Sequence, residues 1–234
     1  MKENTGQVRI PACIGVIMDG NRRWARERGL PTLEGHRAGY EKLREVVSWA
    51  TDAGVGTVIV YAFSTENWNR SAEEVGYLMD LFRTVVAREA EEMRKKNARL
   101  MFVGDRARFS SDMQDLMRRA ESDTTSGTAG RLVVALSYGG RAEIIAAARA
   151  LCAEGVPAER VTEEVFAEKL WTAGIPDPDL VIRTGGETRL SNFLPWQSVY
   201  SELFFTSTLW PDFSKEEFDR ILTEYAGRER RRGA

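Results

Sequence analysis

The segment "CIGVIMDGNRRWARERG", residues 13–29, runs apolar to Met18 and then turns polar within one residue. An aspartate, a glycine and an asparagine follow, then a tryptophan flanked by arginines. A continuous β-branched run of this kind predicts a strand buried on both faces, as strands of parallel sheets are. Five further short runs have the same character: Thr57–Phe63, Leu100–Val103, Leu132–Ser137, Leu180–Arg183 and Leu203–Thr206.

Helical patterns separate these strands. "SAEE" at residues 71–74 predicts a capping box, with Glu74 reaching back, and opens a helix to about Lys96. "SKEE" at 214–217 predicts a second box and a final helix. Residues 141–155 predict a helix ended by Gly155. Alternating strands and helices imply an α/β fold, a mainly parallel six-stranded sheet with surrounding helices. The chain has 234 residues and shows no linker, so residues 1–234 read as one domain.

The 33 basic and 35 acidic residues leave a net charge of −2, which speaks against a general nucleic-acid binder. The single histidine, His36, excludes a site of several imidazoles in one chain. A metal here would take oxygen ligands, which suits Mg²⁺. Two distant cysteines give no disulfide framework and point to a reducing compartment. The short apolar N-terminal run and the lack of a stretch of ~20 apolar residues predict a soluble, cytoplasmic protein.

Ligands of open α/β sheets bind beyond the carboxyl ends of the strands. Three predicted strand ends carry polar clusters: Asp19–Trp24, "STENWNR" at 64–70 and "RTGGETRLSNF" at 183–193. Each has a plainer reading alone, as a tight turn, a solvated helix face or core tryptophans. Together they offer guanidinium forks and glycine-exposed N–H groups for phosphate, with Asp19 as a Mg²⁺ ligand. A Walker A loop and a GxGxxG after the first strand are both missing, and no histidine is placed for a hydrolytic triad.

"IMDGNRRWA", "GHRAG", "YAFSTENWNR", "YGGRAEI", "DLVIRTGGETRLSNFLPWQ" and "ELFFTSTLWPDF" resemble, in order and spacing, the cis-prenyltransferase family. The resemblance implies condensation of isopentenyl diphosphate with an allylic diphosphate, a new cis double bond each cycle, Mg²⁺ as cofactor, a homodimer and an apolar product tunnel. It implies roles by position. Asp19 would promote ionisation with Mg²⁺. Gly20, Asn21, Arg22 and Arg23 would line the allylic phosphate site, with Trp24 and His36 also in contact with substrate. Asn67 and Ser64 would assist proton loss beside Trp68. Arg70, Arg183, Arg189 and Ser191 would bind isopentenyl diphosphate. Glu202 would hold Mg²⁺ across the dimer, and Arg231–Gly233 would reach the partner's site.

Thr32 departs from the family, which often has arginine there, so Arg26, Arg28 or Arg37 would have to compensate. The helix from Ala72 is apolar on two faces, and Tyr77 with Leu81 on the second would line the tunnel. The bulk of Tyr77 predicts a product shorter than the eleven-unit chain. A lipid product implies peripheral membrane contact. Two other readings fit some of these features: a non-catalytic partner subunit and a phosphate-ligand binding protein.

Overall fold

The computed structural model describes residues 9–228. Six parallel strands form one sheet: β1 (Cys13–Ile17), β2 (Thr57–Ser64), β3 (Arg99–Val103), β4 (Arg131–Tyr138), β5 (Leu180–Arg183) and β6 (Glu202–Phe205). Their order is β3-β4-β2-β1-β5-β6. Every expected strand is present within a residue or two, and all five residues of β1 are buried.

The helices are α1 (Asn21–Glu27), α2 (Thr32–Asp52), α3 (Ala72–Lys95), α4 (Ser111–Thr124), α5 (Gly140–Ala153), α6 (Glu163–Ala167) and α7 (Lys215–Gly227). One core cluster joins Val46 of α2, Val86 of α3, Met117 of α4 and Phe218 of α7 to the sheet. A second cluster, with Tyr138, Phe193 and partly buried Trp171, covers the opposite face. The inner strands are therefore buried on both sides, as continuous apolar strands require, while the edge strand β6 leaves Leu203 and Phe205 exposed.

The two expected capping boxes form by half. Ser71 and Ser214 each accept a hydrogen bond from the backbone N–H three residues on. The glutamates do not reach back. Glu74 accepts from Arg70 at 3.0 Å, and Glu217 accepts from Thr206. Each carboxylate has a stronger, charged or tertiary partner available than its own cap N–H.

The topology turns at β1. From it the chain passes to β2 on one side, and later to β5 on the other. The three polar segments thus follow three adjacent strands, β2, β1 and β5. A switch point of this kind opens a crevice at the strand ends.

Candidate active site

Gly20 turns the chain from β1 into α1 with φ 116°, a left-handed conformation. A Cβ there would come within 2.9 Å of the Leu209 backbone, so glycine fits and larger residues do not. Beyond it, Asp19 sits between two guanidinium groups. Arg183 Nη2 donates to Asp19 Oδ2 at 2.9 Å, and Arg23 Nη2 lies 3.4 Å from Oδ1. Arg183 is only 4% exposed, while the Asp19 side chain keeps about a third of its surface (34%) open. Gly185, at φ 86°, leaves room for Arg23: a Cβ would meet its Nη2 at 2.5 Å.

Two clefts flank Asp19. One is lined by α1 and the start of α2, with Arg22, Arg23, Arg26, Thr32, His36 and Arg70. The other is lined from β2 and β5, with Ser64, Glu66, Asn67, Arg183, Ser191 and Asn192. Met18, Asp19, Asn21, His36 and Arg70 face both. An apolar cavity between α2, α3 and the sheet opens at the same place, bounded by Met18, Asn21 and His36. Two charged clefts and one apolar cavity therefore meet beside a single aspartate.

Several side chains are fixed here by their neighbours. Ser64 N–H donates to Asn67 Oδ1 at 3.0 Å, which orients the Asn67 amide in a 3-10 turn over Thr65–Asn69. Glu74 gathers basic side chains of the first cleft: the cations Arg70 and, at 3.9 Å, Arg22, and the His36 ring through Nε2 at 3.3 Å. Burial is the main cause holding the His36 pKa below its ordinary 6.5, so the ring is neutral at pH 7. Asn21 Oδ1 is buried without a hydrogen-bond partner and sits where a Cβ on Gly39 would come within 2.3 Å. Ser191 and Asn192 hold positive φ, 47° and 69°, in the loop that brings them to the second cleft. Such strain in non-glycine residues collects at functional sites.

Other expected site residues lie elsewhere. Trp24 faces away from both clefts: its Nε1 donates to Asp212 at 2.7 Å and its ring lies under Arg28. The amphipathic indole is satisfied there, at the outer side of α1. Trp68 packs edge-on against Phe63 and Phe109 and donates to Ser137 Oγ at 2.9 Å, so its ring belongs to the core around the cavity. Arg189 is exposed and paired with Glu187, outside the cleft lining. Tyr77 is half-buried but does not line the apolar cavity, whereas Leu81 does. The face of α3 turned inward carries Leu78, Leu81, Phe82, Val85 and Val86. Of the arginines that could make up for Thr32, only Arg26 lines the cleft; Arg28 is held by Asp212 and Arg37 lines a separate surface groove.

Glu202 opens β6, level with Leu180 and Ile14 in the register of the parallel sheet. Asp19 lies five residues beyond Ile14, roughly 15 Å further along the strand direction. Glu202 is paired instead with Arg228 at 2.7 Å. One chain thus keeps the two expected metal ligands apart, and among the described residues no cluster of three acidic, histidine or cysteine side chains could hold a metal alone. The tail Arg231–Gly233 lies outside the described residues.

Glu66 and Asn192 belong to the polar clusters expected at the strand ends, although no role is assigned to them there, and Glu74 joins the site from an expected capping box. Glu66 accepts from Asn192 Nδ2 at 3.0 Å, tying the loops after β2 and β5 together. For Glu74 the signal was available: it stands four residues after Arg70, the spacing of a helical ion pair.

The family model described as "Putative undecaprenyl diphosphate synthase" matches residues 17–233. An isoprenyl transferase of Agrobacterium fabrum is 44% identical over 229 residues, 96% of this chain and 93% of that protein. The (2E,6E)-farnesyl-diphosphate-specific ditrans,polycis-undecaprenyl-diphosphate synthase of Xanthomonas axonopodis pv. citri is 45% identical over 229 residues, covering 96% and 89%. Among solved structures, lavandulyl diphosphate synthase from Lavandula x intermedia, in complex with dimethylallyl diphosphate, superposes with a TM-score of 0.91 at 33% identity, covering 96% and 98%. A probable undecaprenyl diphosphate synthase from Campylobacter jejuni gives 0.81 at 31% identity, covering 97% and 100%.

Proposed function

This chain belongs to the undecaprenyl diphosphate synthase family of prenyltransferases, and from that premise we propose how its residues divide the work. The enzyme is an isoprenyl diphosphate synthase. It joins isopentenyl diphosphate to an allylic diphosphate and forms a cis double bond. The observation that carries the division of roles is the meeting of two charged clefts and one apolar cavity at Met18, Asn21 and His36, next to Asp19.

The cleft of Arg22, Arg23 and Arg26 takes the allylic diphosphate, and the apolar cavity takes its tail. The cleft of Arg183, Ser191 and Asn67 takes isopentenyl diphosphate. In the reaction the allylic C–O bond breaks and diphosphate leaves. The isopentenyl double bond supplies the electron pair for the new C–C bond, and a proton passes from the adjoining carbon to the departing diphosphate. Arginine forks stabilise the charge gathering on the leaving diphosphate. Asn67, oriented by Ser64, steers the isopentenyl unit during proton loss.

The donor set fits Mg²⁺. Asp19 offers one partly exposed carboxylate beside two phosphate-binding clefts, and a hard cation completes its shell with phosphate oxygens and water. Mg²⁺ would supply Lewis-acid stabilisation of the departing diphosphate. A homodimer is supported by exposed Leu203 and Phe205 on β6, an edge strand, next to Val199, 68% exposed. We place the reaction in the cytoplasm, with peripheral membrane contact through the lipid product. No helix among the described residues is long and apolar enough to cross a membrane.

The test is incubation of the pure protein with labelled isopentenyl diphosphate, an allylic diphosphate and Mg²⁺, with a chelator control. Labelled prenyl diphosphate that disappears with chelator is expected. Binding of both diphosphates without product would instead favour a phosphate-ligand binding protein or a non-catalytic subunit.

A further inference from the structure

The apolar cavity ends in a charged side chain. Along α3 its lining residues are Leu78, Phe82, Val85 and Val86, and one turn on comes Glu89, only 7% exposed. A carboxylate on an apolar face of this kind needs partners. Tyr40 of α2 donates its hydroxyl to Glu89 Oε1 at 2.6 Å, and Arg44 Nε lies 3.4 Å from the same oxygen. Burial and the hydrogen bond to Glu89 raise the Tyr40 pKa, so the phenol remains a donor.

This bridge stands at the end of the cavity far from the clefts. Glu74, which holds His36 at the mouth, precedes Glu89 by fifteen residues on the same helix, roughly 22 Å of rise. Leu132, at the start of β4, lines the same end. Beyond lies a second, smaller pocket with Arg44, Glu92 and Lys96 in its lining. Tyr40, Leu43, Glu89 and Leu132 border both spaces and so form the partition between them.

We propose that the Tyr40–Glu89 bridge is the wall that stops the growing chain and so sets the product length. The inference rests on the prenyl-transfer reading above. A tail reaching the partition meets a hydrogen-bonded carboxylate. To go further it must break a bond between phenol and charged oxygen and press hydrocarbon on the carboxylate, both unfavourable. Tyr77, the bulky residue that the sequence nominates, lies outside this lining.

The experiment compares products of the full-length wild-type enzyme with those of Tyr40→Ala, Tyr40→Phe, Glu89→Ala and Tyr77→Ala. Products are dephosphorylated and sized by mass spectrometry. The readout is the ratio among chain lengths, which is independent of the fraction of active enzyme. Tyr40→Ala and Glu89→Ala should lengthen the major product by at least one five-carbon unit. Tyr40→Phe, which keeps the ring but loses the bond, should fall between, and Tyr77→Ala should match wild type. Unchanged lengths in both Tyr40 variants overturn the proposal, as does lengthening by Tyr77→Ala alone. If Glu89→Ala fails to fold, the two Tyr40 variants decide. A wild-type protein that makes no prenyl product at all overturns the enzymatic reading instead, before any variant is compared.

Discussion

Arg183 Nη2 lies 2.9 Å from Asp19 Oδ2, joining the ends of two adjacent parallel strands. The other nitrogen of its fork donates to Ser191 Oγ at 2.7 Å, and Nε is buried without a partner. The acid that would hold Mg²⁺ is therefore fixed by an arginine of the opposite cleft. Asp19→Ala should lower turnover by about 10²–10³, the scale of one lost transition-state electrostatic contact. The fold should persist, as judged by circular dichroism, because a third of the Asp19 side chain is in water. Near-normal turnover in saturating Mg²⁺ would refute the assignment.

Arg189 and Arg183 should behave differently when each is replaced by alanine. Arg189 is exposed and its pairing with Glu187 is shared with solvent. Arg189→Ala should leave the KM for isopentenyl diphosphate within about twofold of wild type, because the side chain lies outside the cleft lining. Arg183→Ala should raise that KM by roughly 10–100-fold, about 1.5–3 kcal/mol for a lost charged hydrogen bond, and also lower kcat, since it frees Asp19. Steady-state kinetics with each substrate varied in turn checks both. A shift confined to the allylic substrate would mean that the two clefts are assigned the wrong way round.

Much of this was legible in the sequence because it depends on local pattern. Continuous apolar runs mark all six strands, and polar residues crowd the ends of three that prove to be neighbours. What pattern misses is direction. Trp24 and Trp68 carry the same residue type at two rim segments, yet hydrogen bonds to Asp212 and Ser137 turn both out of the cleft linings. Tyr77 and Leu81 share a helical face one turn apart, yet only Leu81 lines the cavity. Glu89 is a charge in helical register with Leu78, Phe82 and Val86, a signal the sequence carries. Its partner Tyr40 comes from another helix, and periodicity carries no information about that pairing.

His36 gives the protein a pH signature. Its pKa is lowered in the folded state, mainly by burial, while Glu74 acts in the opposite sense and Arg70 and Arg22 add to the lowering. Above pH 6.5 the imidazole is neutral folded or unfolded, so it adds no pH dependence. As pH falls below 6.5 the unfolded chain takes up a proton that the folded chain resists, and stability declines until the folded pKa is passed. Thermal unfolding followed from pH 7.5 down to 5 should show this loss in wild type and a smaller slope in His36→Gln. Equal slopes would mean that other groups carry the acid sensitivity.

The position of Glu202 makes a prediction about the assembly. Within one chain it starts β6, roughly 15 Å along the strand direction from Asp19, so it can serve Mg²⁺ only in a neighbouring copy's site. Asp19→Ala and Glu202→Ala should each be strongly impaired as homodimers. In a mixed dimer one site is spoiled twice, and the other has Asp19 from one chain and Glu202 from its partner. Refolding or co-expressing the two variants together should then restore up to about a quarter of wild-type activity, since half the dimers mix and each has one intact site. Leu203→Asp with Phe205→Asp, placed on the exposed edge strand, should yield monomers by light scattering and lose this restoration. A mixture no more active than its two components would put Glu202 outside the metal site, leaving its ion pair with Arg228 as its role.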